Sequence, residues 1–317
     1  MATKKKELVS IVVPCFNEEE SLPLFYKEVI KVLKKLKEDY ELVLVNDGSK
    51  DNTITKIKEL AKIDKHVSYI SFSRNFGKES AMYAGLKNAK GDYVAVMDAD
   101  LQHSPDLLPQ MLDVLKSEDY DSVATKRSSR NGEAAGRNFF SKMFFNLLNK
   151  TSNIKMEEGA MDYRLMKRKM VNAVLALTEY NRFTKGIFSW VGFKTYWLET
   201  ETNERVAGKT SWSFWGLVKY AIEGIVNFSN APLDLASFLG IGMTLIAFVY
   251  LLIIIIKYII VGDPVQGWAT LICVILIIGG IQLFCLGIIG QYVGKTYMET
   301  KQRPHYIVDE TNIKGVE

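Results

Sequence analysis

The chain has 317 residues, 48% of them hydrophobic and 24% charged, with a formal net charge of +4. Only Lys257 and Asp263 carry charge between Leu235 and Gly294, so the charged residues belong almost entirely to the rest of the chain. This argues against a wholly soluble enzyme and against a polytopic transporter, while the apolar content excludes intrinsic disorder and the mild charge gives no sign of nucleic-acid binding.

In chain order, Leu8 to Val13 is a β-branched run that predicts a strand. The apolar run Leu8 to Phe16, which contains Pro14, is too short and too soon followed by the acidic Asn17-Glu-Glu-Glu20 for a signal peptide. Glu18 to Leu36 places Leu22, Phe25, Val29, Leu33 and Leu36 at helical spacing. Glu41 to Val45, Val67 to Phe72, Tyr93 to Met97 and Asp121 to Thr125 predict four further strands. Helices are predicted over Thr53 to Ala61, over Glu79 to Ala89, and from Ser104-Pro105-Asp106 onward, with proline at the first helical position. Strict alternation implies an α/β fold with a doubly wound, mostly parallel sheet. Ligands of such sheets sit beyond the carboxyl ends of the strands.

Four of those ends carry polar groups: Pro14-Cys-Phe-Asn17-Glu18, Asn46-Asp47-Gly48-Ser49, Ser73-Arg74-Asn75-Phe-Gly77-Lys78 and Asp98-Ala99-Asp100-Leu-Gln102-His103. In an extended segment Asp98, Asp100 and Gln102 would share one side, and paired carboxylates attract a hard divalent cation. No Walker-type lysine loop is present, so the chain is not a phosphate-cradling ATPase. Cys15, Cys273 and Cys285 have no metal-like spacing, and an odd count favours a reducing compartment. His66, His103 and His305 are too few for a His-rich centre.

Toward the C-terminal end, Leu235 to Ile256 and Val265 to Gly294 each exceed the roughly 20 residues needed to cross a bilayer. They predict a transmembrane hairpin. Its short connection holds one basic residue, so both flanks are expected on the cytoplasmic side. Arg137 to Leu148 and Trp212 to Phe228 are aromatic and amphipathic, and suit helices in the headgroup plane. The tail after Arg303-Pro304 is expected to be loosely ordered.

Val9 to Glu19, Val45-Asn-Asp-Gly-Ser49, Ser73 to Gly85 and Asp98-Ala-Asp100 resemble the family-2 glycosyltransferases. More narrowly, they resemble the polyisoprenyl-phosphate (bactoprenol) glycosyltransferases, relatives of dolichyl-phosphate mannose synthase. The resemblance implies a GT-A type catalytic domain over residues 1–211, an interfacial helix over 212–232, two transmembrane helices within 233–294 and a cytoplasmic tail over 295–317. It implies donor binding by Pro14, Asn17, Glu18, Asp47, Lys78, Asp98, Ala99 and Lys209. It places Mg2+ or Mn2+ on Asp98, Asp100 and Gln102, and gives catalytic roles to Asp100, Asp162 and Arg205.

The implied reaction is inverting transfer of one hexose or N-acetylhexosamine from a UDP-sugar to undecaprenyl phosphate, by a multi-pass protein of the cell membrane. Homo-oligomers occur among such enzymes. A GDP-mannose donor is the closer alternative, and a non-catalytic nucleotide-sugar sensor the more distant one. A polymerising synthase would carry a Gln-x-x-Arg-Trp motif, which the sequence lacks.

Overall fold

The computed structural model describes residues 6–128, 149–152, 154–200, 222, 224–261 and 267–316. Within them β1 (Leu8–Cys15), α1 (Ser21–Leu33), β2 (Asp39–Asn46), α2 (Thr53–Ile63), β3 (Val67–Phe72), α3 (Lys78–Asn88), β4 (Tyr93–Val96), α4 (Leu107–Ser117) and β5 (Ser122–Arg127) alternate as predicted. There follow β6 (Ala160–Lys167), α5 (Arg168–Ala176), α6 (Thr184–Trp190) and β7 (Thr195–Thr200). The long helices α7 (Ala231–Val261) and α8 (Trp268–Thr300) come next, and then β8 (Val308–Thr311). One eight-stranded sheet has the order β7-β5-β6-β4-β1-β2-β3-β8.

Strands β4, β1, β2 and β3 are parallel neighbours, while β6 and β8 run antiparallel to β4 and β3. The central strand β1 is buried on both faces. Val9, Ile11 and Val13 join the layer with Leu22, Phe25 and Val29 of α1, while Val12 joins the opposite layer with Ala81 and Met82 of α3. Each such aliphatic side chain contributes about 1.5–3 kcal/mol by burial. Helix α3 lies very close to the sheet, because a Cβ on Gly85 would collide with the side chain of Val12.

The tail differs from expectation. It is not loosely ordered, because residues after α8 return to the sheet and pair with β3 as β8. Tyr306 stacks on Phe72 at 4.8 Å, and Val308 and Ile313 pack against the Val12 layer. Asn312 accepts the Tyr69 amide at 2.7 Å and donates to the Val67 carbonyl at 3.1 Å. The apolar helices are thus an insertion ahead of the last strand of the sheet.

Ala231–Ile254 of α7 and Val274–Thr300 of α8 are long and apolar enough to cross a membrane, with almost none of that surface buried in the protein. Phe238, Leu245, Leu276 and Leu283 are all more than 60% exposed, a density of bare apolar side chains that water does not tolerate. The predicted interfacial segment Arg137 to Leu148, and Trp212 to Phe228 apart from residues 222 and 224–228, lie outside the described residues. Residues 224–228 are helical and lead through Ser229, which bridges Ser152, into α7.

Candidate active site

The parallel register puts the ends of β1, β2, β3 and β4 on one edge. Strand β6 runs the other way, so its beginning lies on that same edge. Val96 pairs with Arg164; Asp98 stands two residues after the first and Asp162 two residues before the second. Lys78 lies between them, 2.7 Å from the Asp98 carboxylate and 2.6 Å from that of Asp162. Lys185 approaches Asp162 from the other side at 3.5 Å.

Lys78 is the first residue of α3, after Gly77 at φ +95°, a conformation that favours glycine. A cation there faces the positive end of the helix dipole. Two carboxylates offset that penalty. Burial disfavours the Lys78 charge, but Asp162 and Asp98 outweigh it and hold its pKa well above the ordinary lysine range. Burial would likewise raise Asp162, but Lys185 and Lys78 outweigh it and hold the carboxyl well below its ordinary range.

Helix α6 is fixed to this cluster at two further points. The Thr184 amide donates to the Glu79 carboxylate at 3.0 Å, and its hydroxyl donates to the same oxygen. Arg164 on β6 is buried, its guanidinium 4.3 Å from the Phe188 ring of α6 and 5.5 Å from that of Trp197. Burial pushes Arg164 down to about 9, against the opposing pull of Asp162.

The family model described as glycosyl transferase family 2 matches residues 10–175, just over half the chain, including every member of this cluster except Lys185. The chain belongs to glycosyl transferase family 2. It is a glycosyltransferase of the GT-A-like α/β type. A prophage bactoprenol glucosyl transferase homolog of Escherichia coli is 42% identical over 95% of this chain and 98% of its own length. The bactoprenol glucosyl transferase of Shigella phage SfX is 41% identical over the same shares. Among solved structures, a Pyrobaculum calidifontis mannosyltransferase in complex with GDP-Man and Mn2+ aligns at 18% identity and TM-score 0.49, covering 71% of this chain and 64% of that one.

In this family-2 enzyme the remaining predicted site residues take varied positions. Asn17, at φ 55°, ties the rim together: its amide donates to Ser49 Oγ at 3.0 Å and its side chain accepts from the Lys50 amide at 2.9 Å. The Glu18 amide donates to Thr53 Oγ1, and the Ser21 hydroxyl donates to the Glu18 carboxylate. Pro14 stands beside Val45 at the end of β1. Asp47 is only 3% exposed and accepts from the Phe76 amide at 2.7 Å, the Gly77 amide at 3.0 Å and Asn75 Nδ2 at 3.0 Å. Expected at the nucleotide, its carboxylate here anchors the β3–α3 loop. Next to it Gly48, at φ +61°, lies so close to that loop that a Cβ would meet the Arg74 backbone. Burial pushes Asp47 up to about 6, against the Phe76 and Gly77 amides and Arg74.

The extended geometry expected for Asp98, Asp100 and Gln102 is not found. Strand β4 ends at Val96, residues 99–100 turn, and Leu101 takes φ 55°. Ala99 and Asp100 are buried, and the Gln102 amide donates to the Asp100 carboxylate at 3.1 Å. His103 stacks on Tyr163 with centroids 6.0 Å apart, and its buried Nδ1 has no hydrogen-bond partner among the described residues. Burial lowers His103 against the opposing pull of Asp98, Asp100 and Asp162.

Among the described residues no three His, Cys, Asp or Glu side chains converge as a complete metal cage. Two carboxylates nevertheless fit a hard cation that takes its other ligands from a diphosphate. Arg205 and Lys209 lie outside the described residues. Lys185, Glu79 and Thr184 were not read from the sequence. Arg182-Phe-Thr-Lys-Gly186 shows no motif, and its place depends on α6 folding against β6.

Proposed function

We propose that this enzyme transfers a single hexose or N-acetylhexosamine from a UDP-sugar to undecaprenyl phosphate at the cytoplasmic membrane face, with inversion at the anomeric carbon. The observation that carries the reading is the Lys78–Asp98–Asp162 cluster on the rim of a sheet that also holds the end of a membrane-length helix pair. The bactoprenol glucosyl transferases are similar along almost the whole chain, through both apolar helices, and not only over the sheet.

Asp98 and Asp100, with Gln102 beside them, would hold Mg2+ or Mn2+, which neutralises charge on the departing nucleoside diphosphate. Lys78 sits where that charge develops, and we assign Arg205 and Lys209 to the same task. A lipid phosphate has a second pKa of about 6, so at neutral pH it is mostly dianionic and already nucleophilic. Asp162, held ionised by two lysines, has little affinity for a proton and is a poor base. Its role in this reading is to orient Lys78, Lys185 and the acceptor.

Asp162→Asn is therefore expected to lower kcat by about 10–100-fold, with no new rise in rate at alkaline pH. A loss near 10⁴-fold with recovery in alkali would instead assign proton abstraction to Asp162. The reaction itself is tested by incubating membranes containing the full chain with labelled nucleotide sugars, undecaprenyl phosphate and Mg2+ or Mn2+. Label extracted with the lipid identifies donor and acceptor together. Label from GDP-mannose alone would move the donor assignment, and donor binding without turnover would sink the reaction.

A further inference from the structure

Glu299 lies in the last turn of α8, where the helix dipole disfavours an anion. It is held there by a loop of the catalytic domain. The Tyr180 amide donates to Glu299 Oε1 at 2.8 Å, and the Asn181 amide donates to the same oxygen at 3.4 Å.

The loop is gripped from its other side as well. Arg182, buried, donates to the carbonyls of Val174 and Leu177 and lies over the Tyr83 ring of α3 at 4.6 Å. His305, just beyond α8, stands 4.8 Å from Tyr83 and stacks on Tyr180 at 6.0 Å. Two and three residues after Arg182, Thr184 and Lys185 reach Glu79 and Asp162. One short stretch therefore touches the end of the second apolar helix at Tyr180 and the active-site carboxylate at Lys185.

We propose that Glu299 is a positioning residue for sugar transfer. By holding the Tyr180 and Asn181 amides to the end of α8, it fixes where α6 begins and so where Lys185 meets Asp162. The inference deepens the reading above and rests on it, since a rigid link between helix end and site matters most for an acceptor that arrives from the bilayer. Tyr180 to Lys185 is packed between α3 and α8, so slack at one end displaces the other.

The test is a double-mutant cycle in the full-length protein, reading transfer to undecaprenyl phosphate. Glu299→Ala is expected to lower kcat about 10-fold with the donor KM changed less than about twofold, the signature of misplacement without lost donor binding. Glu299→Gln keeps an accepting oxygen and is expected to regain most of the rate. Distant, independent sites multiply their effects. Here Glu299→Ala added to Lys185→Ala is expected to cost almost nothing more, because both act through Lys185.

Wild-type kinetics in Glu299→Ala would overturn the proposal. So would fully multiplicative effects, or an equal loss in Glu299→Gln accompanied by a lowered thermal midpoint. Wild-type protein that transfers only to a water-soluble acceptor would overturn the lipid reading instead, and the same cycle run on that acceptor would still decide the role of Glu299.

Discussion

Replacing Lys78 with alanine is expected to lower kcat by about 10³-fold, the cost of removing a pre-placed charge from a site where charge develops. The size of the effect follows from position. Lys78 touches both Asp98 and Asp162 within 3 Å, and no other described cation reaches Asp98. Without it Asp98 and Asp162 lose the ammonium they share, Lys185 remains paired with Asp162 alone, and an incoming diphosphate meets more negative charge. Lys78→Arg is not expected to rescue, because a planar fork cannot replace a compact ammonium between two opposed carboxylates. Steady-state rates on the full chain check this, with the thermal midpoint as control. A loss of less than about tenfold with unchanged folding would show that Lys78 only balances charge in the resting enzyme.

Deleting residues 304–317 is expected to cost the protein much of its stability. The deletion removes β8, leaves β3 as a bare edge and takes away Tyr306, Val308 and Ile313, which pack on the Val12 layer. It also removes the Lys58–Glu310 ion pair at 2.6 Å and the Thr311 hydroxyl that donates to the Tyr69 carbonyl at 2.6 Å. Three partly buried side chains are worth about 5 kcal/mol together, comparable to the net stability of many domains. A fall of about 10–20 °C in thermal midpoint, or aggregation on extraction, is expected. A shift of only a few degrees would mean that the sheet does not depend on its eighth strand.

The parallel half of the fold was legible because each of its elements declares itself locally. Leu22, Phe25, Val29 and Leu33 follow helical spacing and all are buried in α1. The later strands are different. Val308-Asp-Glu-Thr311 has one aliphatic residue and no alternating pattern, and only the open edge of β3 makes it a strand. Strand β6 pairs with β4 and β5, distant in sequence, so its period says nothing of its partners. The rim was legible as an accumulation of polar strand ends, which include Lys78 and Asp98, while Asp162 was expected there only through the family resemblance. The bonds between them were not, because they require Asp162 to arrive opposite Asp98 on an antiparallel strand. Alternation also misled at Asp100, where the chain leaves the strand and the Leu101 conformation turns the following residues.

The place of β8 has a bearing on how the molecule is made. A ribosome emits seven strands of the sheet, then α7 and α8, and only afterwards the strand that covers β3. The two long apolar helices therefore emerge while the catalytic half of the chain is still unfinished. The strand that closes the edge of the sheet can dock only once both helices have been made.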